Sequence, residues 1–406
     1  MLRRLRGAYR AAFAGFPREV WILAAATFVN RSGTMVLPFL ALYLTRRLGF
    51  SIGTAGRLIA LYGVGAIAGS FIGGWLADRV GPVRVQVASL LSTGVGFLVL
   101  SRAHSPLAVA TALLGTSLLA EWVRPASLVA AAEHSPPEVR ARALALLRLA
   151  VNLGMACGPL LGGLLAVKHY GLLFAADALT CWAAALLLWT SLGRRERLRS
   201  MSPLRATATG GSPWRDGPFL ALLGCVLLWG VAFGQVFGTF PLALRAEYGL
   251  SEAKIGALLA LNGLMIVASE MLLVRALEPF ARLRVAAVGS LLVGAGFGLL
   301  AFGGHPGVAI ASVVVWTTGE MLSLPMFNVV VADRANATSR GAYMGAYTLA
   351  FSASFVLAPW LGAAVYERSG AAWLWSGVAA VGAVLALLLQ LLSRRWSAQT
   401  ATATGS

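Results

Sequence analysis

Residues 73–85 read GGWLADRVGPVRV, one short charged stretch between two long apolar runs. The stretch contains Asp78, Arg79, Pro82 and Arg84, whereas Ala, Leu, Val, Gly and Ile dominate the residues before and after it. A helix that crosses a bilayer needs about 20 mostly apolar residues, so charged breaks separate one such helix from the next. The stretch therefore predicts a tight loop between two membrane-spanning helices.

Composition extends this prediction to the whole chain. Of the 406 residues, 58% are hydrophobic and only 12% are charged, and the mean hydropathy is +0.78. Soluble domains carry about 25% charged residues, so this composition indicates a membrane protein. The formal net charge is +18, but the basic residues are mostly Arg at the ends of apolar runs, where membrane orientation places them. Nucleic-acid binding is therefore not expected.

Enzymatic and metal chemistry are also not expected. The three cysteines lie inside apolar runs and the four histidines are scattered, which favours neither a disulfide framework nor a metal site. The sequence contains no Gly-rich phosphate loop and no catalytic constellation. We expect no cofactor. The expected partners are a small-molecule substrate, protons and the lipid bilayer, and the sequence is compatible with a monomer.

The apolar segments define the predicted architecture. Cutting the chain at its charged and Pro/Gly breaks gives about twelve segments of spanning length, which predicts an all-α membrane protein. The one long polar segment, residues 193–216, predicts a cytoplasmic linker between six-helix halves at residues 1–192 and 217–406. Most Lys and Arg fall on the side of the N-terminus, which predicts cytoplasmic N- and C-termini in an inner membrane.

The two halves repeat each other. Sliding the sequence against itself by about 200 residues aligns prolines and glycines that are rarely matched by chance. The aligned pairs are Pro106 and Pro306, Pro125 and Pro325, Pro159 and Pro359, Gly94 and Gly294, Gly162 and Gly362. Such a parallel repeat is typical of transporters whose substrate site lies between two halves.

Two motifs resemble the major facilitator superfamily. The opening stretch is similar to its loop signature, Gly-x-x-x-Asp-Arg-x-Gly followed by basic residues, through Gly74, Asp78, Arg79, Gly81 and Arg84. Two non-basic residues precede Arg84, so the basic part of the signature is short. NLGMACGPLLGG resembles the span-five pattern of the antiporter members, through Gly154, Gly158, Pro159, Gly162 and Gly163.

The resemblance implies a twelve-helix fold that works by alternating access, in the drug:proton antiporter branch. In that fold Asp78 would dock near Arg340 and Gly341 at the start of span eleven, closing a cytoplasmic gate when the protein faces outward. Helix N-termini favour such a carboxylate through their free N–H groups. The alternative is that Asp78 and Arg79 only cap helices and fix the topology.

Ionisable residues inside spans are costly, about 2.5–3.5 kcal/mol each on insertion scales, so a functional role is the default hypothesis. Glu320 is the leading proton site, because an embedded carboxyl can exchange a proton with either side of the membrane; otherwise it is paired to an Arg. Glu121 either pairs with Arg124 or carries a proton. Glu270 is a second candidate carrier or an ion-pair partner of Arg57 or Arg148. Asp177 is expected to be structural.

The resemblance also implies that spans one, four, seven and ten line the cavity. Trp229, Phe233 and Phe237 form one stripe on span seven, which is either packing and lipid contact or an aromatic wall that attracts cationic compounds. The remaining candidates are polar or aromatic residues on the cavity-lining spans: Asn30, Arg31, Arg124, Gln235, Trp316 and Asn328.

These observations predict proton-coupled export of small amphiphilic or cationic compounds. Two alternatives remain open at this stage. One is a proton-coupled symporter that imports a nutrient or peptide, and the other is a lipid translocase.

Overall fold

The computed structural model describes residues 15–193, 212–277, 279–334 and 339–404. Most of the predicted linker, residues 194–211, lies outside this part of the chain, and so does the side chain of Arg340. The described residues are almost entirely helical and contain no β-strand.

Within the described residues, twelve helices are long and apolar enough to cross a membrane, which confirms the predicted all-α architecture. We number them span one to span twelve. Their bounds are Arg18–Arg47, Ile52–Val80, Pro82–Leu100, Pro106–Glu133, Glu138–Lys168, Gly171–Gly193, Gly217–Phe237, Glu252–Ala276, Arg282–Phe302, Pro306–Arg334, Ala342–Ser369 and Ala371–Trp396. Many large apolar side chains on these helices are exposed, as expected of surfaces that face lipid.

Local sequence signals explain where several helices begin. Ser105 and Ser251 accept hydrogen bonds from backbone N–H groups three residues later, and so cap spans four and eight. The loop in the opening stretch is a single residue, Gly81, with φ +102°. Only glycine adopts this backbone conformation without strain, and Pro82 starts the next helix directly after it.

Contacts group the chain into two compact units. One unit comprises Met1–Val36 and Val64–Pro203, and the other comprises Leu37–Gly63 and Leu204–Ser406. The second half of span one and the first part of span two therefore group with the C-terminal helices. The division into halves at residues 1–192 and 217–406 stays a prediction.

Glycines allow close helix contacts in both units. In the first unit, a Cβ at Gly65, Gly69 or Gly73 would overlap span four, because these glycines recur every four residues on one face of span two. In the second unit, a Cβ at Gly63 would lie 3.1 Å from the carbonyl oxygen of Phe355 on span eleven. Span two thus uses its two ends to pack against two different helices.

Candidate functional site

Span one is interrupted near its middle. The helix Arg18–Ser32 ends there, and a second helix, Val36–Leu42, begins after a turn. The buried carboxyl group of Asp177 on span six accepts hydrogen bonds from the backbone N–H groups of Met35 at 3.0 Å and Val36 at 3.1 Å. Asp177 therefore supplies an acceptor to the N–H group of Val36 and a second acceptor to that of Met35, which also reaches the carbonyl of Gly33 at 2.7 Å. This arrangement agrees with the structural role expected of Asp177.

The glycine motif of span five packs against this interruption. A Cβ at Gly154 would overlap Arg31, and a Cβ at Gly158 would lie 2.9 Å from the carbonyl oxygen of Thr34. Gly162 and Gly163 are buried, and Pro159 lies within a continuous helix. The motif thus holds the backbone of span five directly against the turn in span one. Larger side chains would separate the two helices.

Span seven repeats this design. Its α-helix ends at Phe233, a short 3₁₀ turn covers Gly234–Phe237, and a new helix begins at Thr239. The side chain of Gln235 lies in the turn, donates a hydrogen bond to the carbonyl of Ala358 on span eleven at 3.0 Å, and accepts one from Thr239. A Cβ at Gly362 would overlap the Gln235 amide. Spans five and eleven thus each pack closely against an interrupted helix of their own unit, through Gly154 and Gly158 on span five and through Gly362 on span eleven.

Glu320 on span ten meets span eight inside the membrane-spanning region. Its Oε2 accepts a hydrogen bond from Nδ2 of Asn262 at 2.8 Å, and the same nitrogen lies 3.2 Å from Oγ1 of Thr317, which accepts its second hydrogen. Glu320 and Asn262 are half-buried, whereas Thr317 is fully buried. We call these three side chains the Glu320 cluster. It joins spans eight and ten through polar groups that have few alternatives in this apolar setting.

Sequence reasoning selected Glu320 but missed Asn262. The signal was present, because Asn262 is the one strongly polar residue in the run LLALNGLMIV of span eight. A single amide in an apolar run does not reveal its partner, so only the packing of spans eight and ten identifies it.

The other predicted carboxyl groups lie elsewhere. Glu121 follows the last residue of the helix Pro106–Ala120 and is half-buried, and Arg124 is exposed after the helix resumes at Val123. No ion pair joins these two side chains among the described residues. Glu270 lies on span eight, two helical turns after Asn262, and is half-buried. The proton-carrying roles of Glu121 and Glu270 stay predictions.

The aromatic candidates form a packed cluster in the second unit. Trp229 and Trp316 are fully buried, and Phe297 stacks between Trp316 and Trp375 at centroid distances of 5.5 and 5.8 Å. Phe233 stacks on Trp229 at 4.9 Å. This burial favours the packing alternative for Trp229 and Phe233, because rings enclosed by other side chains offer no free face to a ligand, whereas Phe237 is half-buried. Their role as a cavity wall stays a prediction.

Two of the remaining cavity candidates make hydrogen bonds within the protein. Asn328 donates a hydrogen bond to the carbonyl of Leu324 one turn earlier at 2.9 Å, and Asn30 donates to the sulfur of Cys181 at 3.5 Å. Arg31 is half-buried at the end of the first helix of span one.

The predicted gate lies on the short loop between spans two and three. Asp78 and Arg79 are exposed, and the guanidinium of Arg79 lies 4.1 Å above the Trp75 ring. Gly74 is half-buried, with room for a Cβ 3.8 Å from Pro125, and Arg84 is half-buried on the first turn of span three. The docking of Asp78 near Arg340 stays a prediction.

A second polar network lies at the end of the C-terminal helices that is predicted to face the cytoplasm. Asp216 caps span seven and accepts two hydrogen bonds from Arg334 at 2.8 and 2.9 Å and one from Tyr343 at 3.0 Å. The hydrogen bonds from Arg334 lower the pKa of Asp216, although partial burial acts in the opposite direction. Arg334 also lies 4.8 Å above the Trp396 ring. Spans seven, ten, eleven and twelve are thus tied together at this end.

Comparison with curated proteins finds transporters of similar length. The chain is 26% identical to the uncharacterized MFS-type transporter YqjV of Bacillus subtilis, covering 86% of this chain and 87% of the relative. It is 25% identical to a Na(+), Li(+), K(+)/H(+) antiporter of Planococcus maritimus, with 83% and 87% covered. It is 26% identical to the multidrug resistance protein MdtH of Aeromonas hydrophila, with 91% and 94% covered.

Comparison with solved structures supports the same fold. A crystal structure of a POT peptide transporter superposes with a TM-score of 0.81 at 17% identity, covering 94% of this chain and 96% of that one. The family model described as Major Facilitator Superfamily matches residues 20–359 and, in a second match, residues 236–405. The chain therefore belongs to the Major Facilitator Superfamily, as a polytopic membrane transporter and not an enzyme.

Proposed function

We propose that this protein is a secondary active transporter that exports small amphiphilic or cationic compounds in exchange for protons. The observation that carries this proposal is the Glu320 cluster. Glu320 is a carboxyl group within a membrane span, half-buried and held at a fixed position by Asn262 at 2.8 Å. A carboxyl in such a place can hold a proton in one conformation and release it in another.

The exchange follows from competition for one negative charge. When Glu320 is ionised, it favours a cationic or neutral substrate in the cavity. When it is protonated, that attraction is lost and the substrate leaves. Because binding of proton and substrate is mutually exclusive, the gradient of one drives the other as the two conformations alternate.

The names of relatives support this direction of transport. The Aeromonas hydrophila relative is named a multidrug resistance protein, and the Planococcus maritimus relative is named an antiporter with protons. The glycines of span five resemble the pattern associated with the antiporter members, and they pack against the interrupted span one. Together these favour antiport over symport.

Other residues complete the proposed cycle. Glu121 and Glu270 are further proton carriers, and Arg31, Arg124, Gln235 and Asn328 contribute polar groups to the cavity. Asp78 latches the cytoplasmic side in the outward-facing state. The protein lies in the inner membrane with both termini in the cytoplasm, as the distribution of basic residues indicates.

Proton movement in sealed proteoliposomes tests the proposal. The vesicles enclose a pH dye, and tetraphenylphosphonium or another lipophilic cation is added outside. Antiport predicts that cation entry drives protons out and makes the lumen alkaline. Glu320→Gln should abolish this change. Ser269→Ala should retain it, because the Ser269 hydroxyl bonds the carbonyl of its own helix at Met265 and belongs to no proposed site.

Three other outcomes would overturn parts of the proposal. Acidification of the lumen on solute entry would establish symport. Solute transport without any proton movement would exclude proton coupling and make lipid translocation the next assay. Proton exchange that survives Glu320→Gln would remove Glu320 from the coupling role.

Alkali cation exchange is a second candidate, favoured by the same cluster. Glu320 and Thr317 each place an oxygen against the same nitrogen of Asn262, and oxygen ligands suit hard cations. One relative is named for Na(+), Li(+) and K(+) exchange. In the same vesicles, alkalinisation driven by sodium or potassium chloride, and not by lipophilic cations, would select this candidate.

A further inference from the structure

Asn262 has a defined chemical relation to Glu320. A carboxylate has no hydrogen to donate, so the amide must present its N–H group at the 2.8 Å contact. The amide nitrogen carries two hydrogens, and both are directed at span ten, one to Glu320 and one to Thr317 at 3.2 Å. The orientation of the amide is therefore fixed by its two acceptors.

We propose that Asn262 is a positioning residue that stabilises the ionised form of Glu320 and joins span eight to span ten while Glu320 is ionised. This inference rests on the proposed function, in which Glu320 exchanges the proton. It adds that the residue controlling this exchange lies on a different helix.

The physical reason is the strength of the hydrogen bond in the two states. A hydrogen bond to a charged acceptor contributes roughly twice as much as one to a neutral acceptor. Protonation of Glu320 therefore weakens the contact with Asn262 and loosens the joint between spans eight and ten. Binding of a proton or of substrate at Glu320 would thus change how tightly spans eight and ten pack, because both act on the hydrogen bond from Asn262.

Other charged groups on the neighbouring helices lie further along the spans. Span ten packs against spans eight, nine and eleven, and makes smaller contact with span seven. Their titratable residues are Glu252, Lys254, Glu270 and Arg275 on span eight, Arg282 and Arg284 on span nine, Tyr343, Tyr347, Tyr366, Glu367 and Arg368 on span eleven, and Cys225 on span seven. Asp333 and Arg334 end span ten, about 20 Å along the helix from Glu320.

Several of these groups bond to partners away from Glu320. Arg282 pairs with Asp333, Tyr343 bonds to Asp216, and Tyr366 bonds to Glu247. Glu270 lies two turns, or about 12 Å along the helix, from Asn262. The amide of Asn262 distinguishes the ionised from the neutral form of Glu320 directly, because its N–H group contacts the carboxyl oxygen at 2.8 Å.

Carbodiimide labelling measures this effect without relying on transport. Carbodiimides react with protonated carboxyl groups in apolar surroundings, and mass spectrometry of the full-length protein in vesicles quantifies labelling at Glu320 against pH. We expect Asn262→Leu to move the midpoint of this profile to higher pH by about one unit, because the ionised form loses its donor. An unchanged midpoint would overturn the proposal.

Two further variants keep the test decisive. Asn262→Asp has nearly the same shape and, when ionised, offers no donor and adds a like charge, so its midpoint should also move to higher pH. It replaces the leucine variant should that one fail to fold. Ser269→Ala removes another polar side chain of span eight, one that contacts Met321 on span ten, and should leave the midpoint unchanged. A midpoint that moves equally in Ser269→Ala would indicate a general packing effect and overturn the proposal.

The labelling result is independent of the proposed function. If Glu320→Gln retains proton exchange, Glu320 is not the coupling residue, yet the labelling profile still reports whether Asn262 stabilises its ionised form. If Glu320→Gln abolishes exchange and Asn262→Leu leaves the labelling profile unchanged, the coupling role stands and the role of Asn262 falls.

Discussion

Individual buried polar groups determine how the spans are interrupted and joined. Asp177 accepts two backbone hydrogen bonds at the turn of span one, Gln235 bridges the turn of span seven to span eleven, and Asn262 joins Glu320 to span eight. Each supplies hydrogen bonds to polar groups that lie in an apolar environment. Unpaired backbone groups there cost several kcal/mol each, so these residues stabilise conformations that a regular helix would not adopt.

Replacing Asp177 tests its role at the turn. Asp177→Ala leaves the N–H group of Val36 without its acceptor, which costs about 1–3 kcal/mol, whereas the N–H group of Met35 keeps the carbonyl of Gly33 at 2.7 Å. Asp177→Asn retains one acceptor oxygen and should lose less. Thermal unfolding of the purified protein in detergent should rank native above Asn above Ala. An alanine variant that melts with the native protein would show that the turn does not depend on this carboxyl.

At the residue scale, the sequence predicted which polar side chains inside the spans have a structural or functional role, but it did not predict which groups they contact. Glu320 and Asp177 were selected because charge inside an apolar run is costly. Their partners could not be predicted, because Asn262 is distant in sequence from Glu320 and the donors to Asp177 are backbone groups with no sequence signature. The Glu121 and Arg124 spacing suggested a pair on one helix, but the helix is interrupted between them.

Spans five and eleven are the elements that hold the interrupted helices in place. Gly154 and Gly158 bring span five against span one, and Gly362 brings span eleven against Gln235 of span seven. Small residues permit this approach because no side chain separates the two backbones. Both units thus hold an interrupted helix against a neighbouring span, although the positions that the 200-residue repeat aligns with Gly154 and Gly158 are Ser354 and Ala358.

A matched pair of glycine variants tests this packing. Gly154→Ala places a methyl group against Arg31, which should cost about 1–3 kcal/mol through overpacking and slow pH-driven transport of tetraphenylphosphonium. Gly115→Ala places its methyl group in open space on span four and should behave as the native protein does. Equal melting temperatures and transport rates in both variants would refute a special role for span five.

The Asp216 network ties four elements together and predicts a pH dependence. Because its folded-state pKa is lowered, Asp216 contributes stability that is fully present above its ordinary pKa of 3.8 and is lost as the pH falls through the lower folded value. Asp216→Asn should therefore melt at a lower temperature than the native protein at pH 7.

The difference between Asp216→Asn and the native protein should narrow as the pH falls below 3.8. Asp333→Asn is the control, because the ion pair between Asp333 and Arg282 is about half exposed and contributes less. If Asp216→Asn is as stable as Asp333→Asn at pH 7, Asp216 does not hold these spans together and the prediction is wrong.

At the scale of the whole molecule, the fold was predictable and the conformational details were not. Apolar runs of spanning length, separated by breaks such as GGWLADRVGPVRV, define twelve helices without knowledge of any contact. The grouping of residues 37–63 with the C-terminal helices could not be predicted, because it depends on the packing of Gly63 and its neighbours against span eleven. Hydropathy reports how long a span is and not which helix it contacts.

Solute counterflow at equal pH on both sides tests the central claim most directly, because it needs alternating access but no net proton movement. Vesicles are loaded with unlabelled tetraphenylphosphonium, and entry of the labelled compound is measured. The account predicts that the native protein performs both counterflow and uptake driven by a pH gradient. Glu320→Gln should lose the uptake driven by a pH gradient and retain counterflow only at higher concentrations of the compound, because its neutral amide, like the protonated carboxyl, lacks the charge that attracts the cation. Uptake driven by a pH gradient in Glu320→Gln at the native rate would contradict the account.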